Sequence, residues 1–327
     1  MNTEPTILDI EDAAKRLAGV AFRTPLLENS LLNDRLGGRL LLKAEPLQRA
    51  GSFKFRGAYN RISRLDAATK RRGVVAYSSG NHAQGVACAA QLLGVPALIL
   101  MPKDAPAVKI ANTNAYGAEV MLFDRAKDDR EAMSRRVAAE RGATIVPPYD
   151  DPFIIAGQGT VGLEIAEDLT ARDVRPDAVI APCGGGGLVS GIATALAAKL
   201  PGIPVYSAEP AGFDDTARSL VAGTRQTNIP GATSFCDALL APMPGEITFP
   251  INKRRLAGGL AVTDAEVARA MATAFAYLKL VIEPGGAAAL AAALAEKLPI
   301  KGRTVVVVAS GGSVDAGTFA QALAHAA

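Results

Sequence analysis

The sequence predicts an α/β protein built on doubly wound, mostly parallel sheets. Short apolar runs bounded by glycine or proline alternate with alanine-rich stretches of helical length. Runs such as GVVAYS and TVVVVAS are apolar throughout, as in strands that are covered on both faces. Ligands of such sheets bind at the carboxyl ends of the strands, so the loops that follow the strands are the candidate functional segments.

The predicted elements follow this alternation along the chain. A helix over residues 7–19 comes first, and a strand over 39–45 leads into a loop. A second helix over 53–62 follows, with Ser52 as its predicted N-cap. The remaining predicted strands, separated by helical patterns, cover 73–78, 96–101, 118–123, 144–149, 177–182, 204–209 and 304–310.

Composition narrows the classes of partner. At 327 residues and 49% hydrophobic content, the chain can form one large domain or two closely joined ones. Its 35 basic and 32 acidic residues nearly balance, which argues against nucleic acid as a partner. Three scattered cysteines indicate neither a disulfide framework nor a zinc site. With no visible signal peptide or membrane span, we expect a cytoplasmic protein that binds a small molecule.

Lys54, in the loop AGSFKFRGAYN, is the candidate reactive group. In the first turn of a helix, the helix dipole disfavours the charged amine, and burial between Phe53 and Phe55 lowers its pKa further. A neutral lysine is a nucleophile that can form a Schiff base. The alternative is a basic surface helix, because four arginines surround this lysine: Arg49, Arg56, Arg61 and Arg64.

Two loops that follow predicted strands could bind anions. The loop SSGNH offers Ser78, Ser79 and Asn81 at a helix N-terminus, which can hold a carboxylate, although a plain serine-capped turn is the alternative. The loop CGGGGLVSG has four consecutive glycines, 184–187, whose uncovered N–H groups can cradle a phosphate. No GK[ST] follows, which excludes a nucleoside-triphosphate loop. A loose dinucleotide fingerprint, with Glu209 as ribose ligand, stays open as an alternative.

Two further loops carry polar groups at strand ends. Glu209, Asp215 and the carbonyl of Phe213 would suit a hard divalent cation such as Mg²⁺ or Ca²⁺, with solvated carboxylates as the alternative. Ser310, in the loop SGGS, can hydrogen-bond a ring nitrogen without adding charge.

Together with IAGQGT at 155–160 and IEPGGA at 282–287, these motifs resemble the fold type II pyridoxal-phosphate enzymes, which have the tryptophan synthase beta-like fold. The threonine/serine dehydratases and serine racemases are the most similar group. The resemblance implies a small domain, residues 73–148, inserted in a large pyridoxal-phosphate-binding domain formed by 1–72 and 149–327. It also implies a homodimer.

The resemblance also implies roles for individual residues. Lys54 would carry the cofactor beside Phe53. The other cofactor contacts would be Asn81 at the 3-hydroxyl, Ser310 at the pyridine nitrogen, and Gly184, Gly185, Gly186 and Gly187 at the phosphate. Substrate contacts would be Ser78, Asn81 and His82 at the carboxylate, Ser79 as the second proton-transfer residue of racemases, and Arg130 at a second carboxylate. A solvated helix face is the alternative for Arg130. The metal site would be Glu209, Phe213 and Asp215, holding Mg²⁺, or else Ca²⁺ or Mn²⁺.

The expected activity is a dehydratase that converts threonine, serine or 3-hydroxyaspartate to a 2-oxo acid and ammonia. The neutral Ser310 disfavours a long-lived carbanion and so favours prompt loss of the β-hydroxyl. An amino acid racemase that uses Ser79 is the nearest alternative. A nucleotide-dependent oxidoreductase that uses the glycine loop and a catalytically silent ligand-binding relative are more distant ones.

Overall fold

The computed structural model describes residues 4–125 and 127–325. The strands in this part of the chain are β1 (Leu26–Leu27), β2 (Arg39–Ala44), β3 (Val74–Tyr77), β4 (Ala97–Pro102), β5 (Glu119–Phe123), β6 (Thr144–Ile145), β7 (Ala178–Pro182), β8 (Val205–Pro210), β9 (Leu256–Val262) and β10 (Thr304–Ala309). The helices are α1 (Ile7–Leu17), α2 (Ser30–Leu36), α3 (Lys54–Ser63), α4 (Ala67–Arg72), α5 (Asn81–Leu93), α6 (Ala107–Ala115), α7 (Arg130–Arg141), α8 (Pro152–Ala171), α9 (Gly187–Lys199), α10 (Asp215–Ala222), α11 (Thr248–Arg255), α12 (Asp264–Thr273), α13 (Ala288–Leu294) and α14 (Ala316–His325).

The strands form two sheets, and the predicted α/β class with mostly parallel sheets is confirmed. A six-stranded sheet has the order β1-β2-β10-β7-β8-β9, in which only the β1–β2 pair is antiparallel. A four-stranded parallel sheet has the order β5-β4-β3-β6. Its strands all lie between residues 74 and 145, within the predicted small domain. The domain boundaries themselves stay a prediction.

The large sheet is buried on both faces. Leu40, Leu42 and Val307 pack in one hydrophobic cluster, whereas Leu41 and Val306 pack in the cluster on the opposite face. Adjacent strand residues point to opposite faces. This arrangement explains the uninterrupted apolar runs in the sequence.

Helix α8 packs closely against both α3 and α9, the two helices that begin at the candidate site. Its glycines allow backbone-to-backbone packing: a Cβ atom at Gly157 would lie 2.6 Å from the carbonyl oxygen of Arg56 in α3. On the other side, a Cβ atom at Gly162 would lie 2.7 Å from the Cα atom of Ile192 in α9. Real Cβ atoms do not approach this closely, so the α3–α8–α9 layer depends on these glycines.

Two local predictions were wrong, and strand β9 was not predicted. Ser52 does not cap α3: it is extended (φ −164°, ψ 161°), the helix begins at Lys54, and the Ser52 hydroxyl has no partner in the described structure. The strand predicted over 144–149 ends at Ile145, and Pro147 and Pro148, which have no N–H group, follow. Strand β9 was missed because two glycines, Gly258 and Gly259, weaken its strand signal.

No helix among the described residues is long and apolar enough to cross a membrane.

Candidate active site

Backbone pairing fixes the position of the reactive lysine. The N–H group of Phe53 donates to the carbonyl oxygen of Ser310 (3.1 Å), and the N–H group of Gly312 donates to that of Gly51 (2.9 Å). Between these bonds, Ser52 forms an antiparallel bridge with Gly311. The segment before α3 is therefore attached to the carboxyl end of β10, where the sheet geometry places ligands.

The Lys54 amine faces a cavity of about 470 Å³. Its Nζ atom donates a hydrogen bond to the carbonyl oxygen of Pro148 (2.6 Å) and lies 5.2 Å from the centroid of the Phe53 ring. Burial lowers the pKa of Lys54 to about 8, against a smaller opposing effect of the Glu283 carboxylate. A substantial fraction of the amine is therefore neutral near physiological pH, when it can act as a nucleophile or base.

The structure brings most of the predicted site residues together around this cavity. Those that line it are Phe53, Lys54, Ser78, Ser79, Asn81, His82, Arg130, Gly184, Gly185, Gly186, Gly187 and Ser310. They come from the carboxyl ends of β3, β7 and β10 and from the first turns of α3, α5, α7 and α9. The three predicted metal ligands Glu209, Phe213 and Asp215 are not among the lining residues.

Neighbouring side chains explain why the loop 184–187 needs glycine. A Cβ atom at Gly185 would lie 2.4 Å from ring carbons of Tyr149, and one at Gly187 would lie 2.5 Å from Oε1 of Gln158. Gly186 has φ +97°, a left-handed conformation that favours glycine, and a Cβ atom there would lie 2.8 Å from Nδ2 of Asn252. The loop runs into the N-terminus of α9, whose first N–H groups have no partner within the helix and can bind an anion.

His82 is neutral and oriented by a backbone carbonyl. Its Nε2 atom lies 2.8 Å from the carbonyl oxygen of Val146, which can only accept, so this nitrogen carries the proton. Burial, together with the nearby Lys54 charge, lowers the pKa of His82 to about 3. Its buried Nδ1 atom has no partner in the described structure. The ring is therefore a neutral acceptor and has no role as an acid at ordinary pH.

A second lysine, Lys109, lines the same cavity but is in the opposite charge state. Its Nζ atom donates to Oδ2 of Asp237 (2.8 Å) and lies 3.6 Å from Oε2 of Glu283. Burial lowers the pKa of Lys109, but the carboxylates of Glu283 and Asp237 together outweigh it and raise the pKa above the ordinary value. Glu283 also accepts a hydrogen bond from Asn81. Lys109 is thus a fixed cation, and Lys54 is the amine available for chemistry.

Arg130 lies in the wall of the cavity rather than on a solvated helix face. It is the first residue of α7, it is half-buried, and its guanidinium carbon lies 5.5 Å from the centroid of the Tyr77 ring. Arg125 also lines the cavity and is paired with Asp104 (2.8 Å). The cavity lining therefore includes two guanidinium groups, and the guanidinium group is well suited to bind a carboxylate.

Glu209 and Asp215 form a buried acidic pair behind the glycine loop. Both carboxylate oxygens of Glu209 accept N–H groups, from Thr216 and Ala217 (2.9 Å each), whereas neither oxygen of Asp215 has a partner in the described structure. Burial and the neighbouring Asp215 raise the pKa of Glu209 to about 8, and burial raises the pKa of Asp215 to about 7. No group of three or more His, Cys, Asp or Glu side chains in the described chain is arranged to hold a metal ion.

Sequence reasoning assigned no role to Tyr149, Lys109, Asp237 or Gln158, although all of them line the cavity. Gln158 had a signal: it is a single amide in the apolar, glycine-rich run of α8. Lys109 and Asp237 had none, because their pairing joins residues 128 positions apart.

Comparison with known proteins defines the class of protein. The family model described as pyridoxal-phosphate dependent enzyme matches residues 17–311, so the chain belongs to this family. The family assignment favours pyridoxal phosphate over a dinucleotide as the cofactor.

Individual relatives within the family span almost the whole chain. It is 40% identical to the L-threo-3-hydroxyaspartate ammonia-lyase of Saccharomyces cerevisiae, over 97% of this chain and 95% of that protein. It is 42% identical to the L-threonine ammonia-lyase of Thermotoga maritima, over 95% of this chain and 76% of that protein. The solved structure of maize serine racemase superposes with a TM-score of 0.92 at 38% identity, covering 98% of both chains.

The residues present fit pyridoxal phosphate. Lys54 supplies a partly neutral amine for the aldehyde, and the loop 184–187 leaves room and N–H groups for the phosphate. The buried Oδ1 atom of Asn81, which has no partner in the described structure, is free to contact a ligand in the cavity. The ring nitrogen does not require a charged acid as its partner, since the hydroxyl group of Ser310 can hydrogen-bond it.

We predict that the cofactor-free Lys54 amine titrates near pH 8, because burial lowers its pKa. Reductive methylation over a pH series, with site-by-site mass spectrometry, measures this. The modified fraction of Lys54 should rise through pH 8, since the neutral form is the one that reacts, whereas a lysine in water titrates near 10.4. A midpoint near 10.4 for Lys54 would contradict the account.

Proposed function

We propose that this chain is a pyridoxal-phosphate-dependent ammonia-lyase that converts a β-hydroxy amino acid to a 2-oxo acid and ammonia, with 3-hydroxyaspartate as the preferred substrate class. The main support is that one cavity is lined by the partly neutral Lys54, by the glycine loop 184–187 at a helix N-terminus and by Arg130. The ammonia-lyase activities of the yeast and Thermotoga relatives support the reaction type.

The chain's own groups would divide the chemistry between them. When bound, pyridoxal phosphate supplies an electron sink for the carbanion at the substrate Cα atom. The N–H groups of the loop 184–187 would hold the phosphate, Phe53 would pack beside the ring, and Asn81 and Ser310 would contact its polar edge. Lys54 would carry the cofactor and then remove the Cα proton at Nζ, which the Pro148 carbonyl orients.

The loop that begins α5 would bind the substrate carboxylate. Ser78 and Ser79 lie on the cavity wall before the helix, and Asn81 is the first residue of α5. Hydroxyls together with unpaired N–H groups at a helix N-terminus are suited to bind a carboxylate. His82 contributes no donor to this carboxylate, because its protonated Nε2 donates to the Val146 carbonyl oxygen and its Nδ1 atom can only accept.

Arg130 would select a substrate with a second carboxylate. Its guanidinium lies over the Tyr77 ring and, within the described structure, forms no salt bridge with a carboxylate, unlike Arg125. A free guanidinium in a cavity wall favours a β-carboxylate over the methyl group of threonine. The Arg130 guanidinium thus favours 3-hydroxyaspartate over threonine and serine.

We predict that Arg130→Met lowers kcat/KM for L-threo-3-hydroxyaspartate by about 10²-fold, because truncating one partner of a charge pair costs about 2–5 kcal/mol. The kcat/KM for L-threonine should change by less than about threefold. Ammonia and 2-oxo acid release measure both. The matched control is Arg135→Met in the same helix, whose side chain is largely exposed and pairs with Glu131. Equal losses on both substrates would contradict the assignment of Arg130.

Amino acid racemisation is the second candidate function, because Ser79 lines the same cavity as Lys54. A hydroxyl at this place could return a proton to Cα from the face opposite the lysine. The similarity to maize serine racemase supports this candidate. Chiral analysis of the unreacted amino acid in the ammonia assay separates the two: ammonia release without the D-enantiomer favours the lyase.

A divalent cation at Glu209, Asp215 and the Phe213 carbonyl is a further part of the proposal. Both carboxyl groups are buried, and that of Asp215 has no partner in the described residues, which costs free energy in an apolar environment. Carboxylate oxygens are common ligands of Mg²⁺, Ca²⁺ and Mn²⁺, so a bound cation would offset this cost. A cation there would be bound at the N-terminus of α10, behind the loop 184–187, and would act on stability and on the loop rather than on the substrate.

We predict that saturating Mg²⁺ raises the Tm of the chelator-treated protein by at least about 2 °C, since a ligand that binds only the folded state stabilises it. Asp215→Asn should abolish the shift, measured by scanning calorimetry. Asp214→Asn is the control, because the Asp214 carboxylate pairs with Arg218 (3.3 Å) instead. An unchanged Tm in the wild type with Mg²⁺, Ca²⁺ and Mn²⁺ would remove the metal site.

Homodimer formation and a cytoplasmic location stay predictions. Exposed apolar side chains support the dimer: Leu31, Leu47, Phe275 and Val281 are 43–68% exposed. Hydrogen bonds from Asn29 and Arg35 to Tyr277 hold α2, which carries Leu31, next to the segment around Phe275. Sedimentation velocity would detect a dimer as a doubled mass.

A further inference from the structure

Gln158 is a buried amide whose polar atoms are unused. It lies in the middle of α8, with 1% of its surface exposed, and neither Nε2 nor Oε1 has a hydrogen-bond partner in the described structure. Buried polar groups are almost always paired, and each unpaired one costs about 1–3 kcal/mol. An amide with both ends unpaired in an otherwise apolar helix segment is therefore a candidate ligand-binding group.

The side chain of Gln158 extends from α8 to the cavity, between the two helices that carry the site. A Cβ atom at Gly57 in α3 would lie 3.2 Å from Cγ and Nε2 of Gln158. On the other side, a Cβ atom at Gly187 would lie 2.5 Å from Oε1. Gln158 also lines the cavity itself. Its amide is therefore adjacent to the last glycine of the loop 184–187 and accessible from the cavity.

We propose that the Gln158 side chain is a ligand of the cofactor phosphate, with Nε2 donating a hydrogen bond to a phosphate oxygen held by the loop 184–187. A half-turn about the terminal torsion exchanges Oε1 and Nε2 without changing the shape of the side chain, so the donor can face the loop. The Oε1 atom is then directed away from the anion. This inference rests on the proposed function, which assigns the phosphate to this loop.

The chemistry of the site favours phosphate over the reacting end of the substrate. A phosphate monoester has three strong acceptor oxygens. A side-chain donor can therefore bind a phosphate oxygen in addition to the N–H groups of the glycine loop. The contact of Gln158 is with Gly187, the first residue of α9, where the helix dipole favours an anion. A neutral amide adds a donor there without the charge of a lysine or arginine.

The test compares two ligands that differ only in the phosphate: pyridoxal 5′-phosphate and pyridoxal. Wild type, Gln158→Leu and Gln158→Glu are stripped of cofactor and titrated with each ligand by absorbance. Leucine removes the donor, and glutamate keeps the shape and replaces the donor by an anion when the titration is run at about pH 9, above the raised pKa of a buried carboxyl group. Thr194→Val is the matched control, since Thr194 in α9 is also buried with an unpaired hydroxyl but does not line the cavity.

We expect Gln158→Leu to weaken pyridoxal 5′-phosphate binding by about tenfold or more, as for the loss of a hydrogen bond to a charged group, and Gln158→Glu to weaken it further. Pyridoxal binding should stay within about twofold of wild type, and the control should match wild type with both ligands.

The ³¹P chemical shift of the bound phosphate should move in Gln158→Leu. The Tm of cofactor-free Gln158→Leu should equal or exceed that of wild type, because an unpaired amide is removed.

Three outcomes would overturn the inference. Equal weakening of both ligands would show that Gln158 shapes the cavity without contacting phosphate. Unchanged affinities together with an unchanged ³¹P shift would show that Gln158 does not contact the phosphate at all. If Gln158→Leu does not fold, Gln158→Glu gives the same comparison between the two ligands. Failure of the wild type to bind pyridoxal 5′-phosphate would remove the proposed function as well, whereas wild-type binding with wild-type-like variants removes the Gln158 role alone.

Discussion

The site depends on the desolvation of one amine. Lys54 faces a cavity in which its partner is a carbonyl oxygen, which orients the amine without stabilising its charge as a carboxylate would. The pKa of about 8 follows from this surrounding. Lys109 shows the contrast within the same cavity, because two carboxylates near it keep it charged. The difference between a reactive lysine and a structural one is thus set by the neighbouring acceptors.

Close helix packing keeps this amine next to the anion-binding loop. The glycines of α8 let α3 and α9 approach it at backbone contact, and α3 begins with Lys54 while α9 begins at the end of the loop 184–187. The strand pairing of residues 51–53 with 310–312 then fixes Lys54 against the end of β10. Reactive group and anion site are therefore held by the core of the large sheet rather than by mobile loops.

Much of this arrangement could be predicted from the sequence because parallel sheets collect their loops at one edge. Buried strands with an uninterrupted apolar run were found almost to the residue, as in the strand predicted over 304–310 and observed over 304–309. The loops that follow these strands contain Lys54, Ser79 and Ser310, so their meeting around one cavity followed from topology alone.

What the sequence could not predict was set by long-range contacts. The failure of Ser52 to cap α3 comes from its pairing with Gly311, more than 250 residues away, which overrides the local preference for a cap. The ion pair of Lys109 with Asp237 and the position of Gln158 at Gly187 likewise depend on the packing of segments that are distant in sequence.

The most direct measurement of the central claim is the site of cofactor attachment. Borohydride reduction of the protein loaded with pyridoxal 5′-phosphate, followed by digestion and mass spectrometry, locates the lysine that carries the label. The account predicts a stoichiometric label on Lys54 and none on Lys109, although both line the cavity, and it predicts no label in Lys54→Ala. A label on Lys109, or an undiminished label in Lys54→Ala, would contradict it.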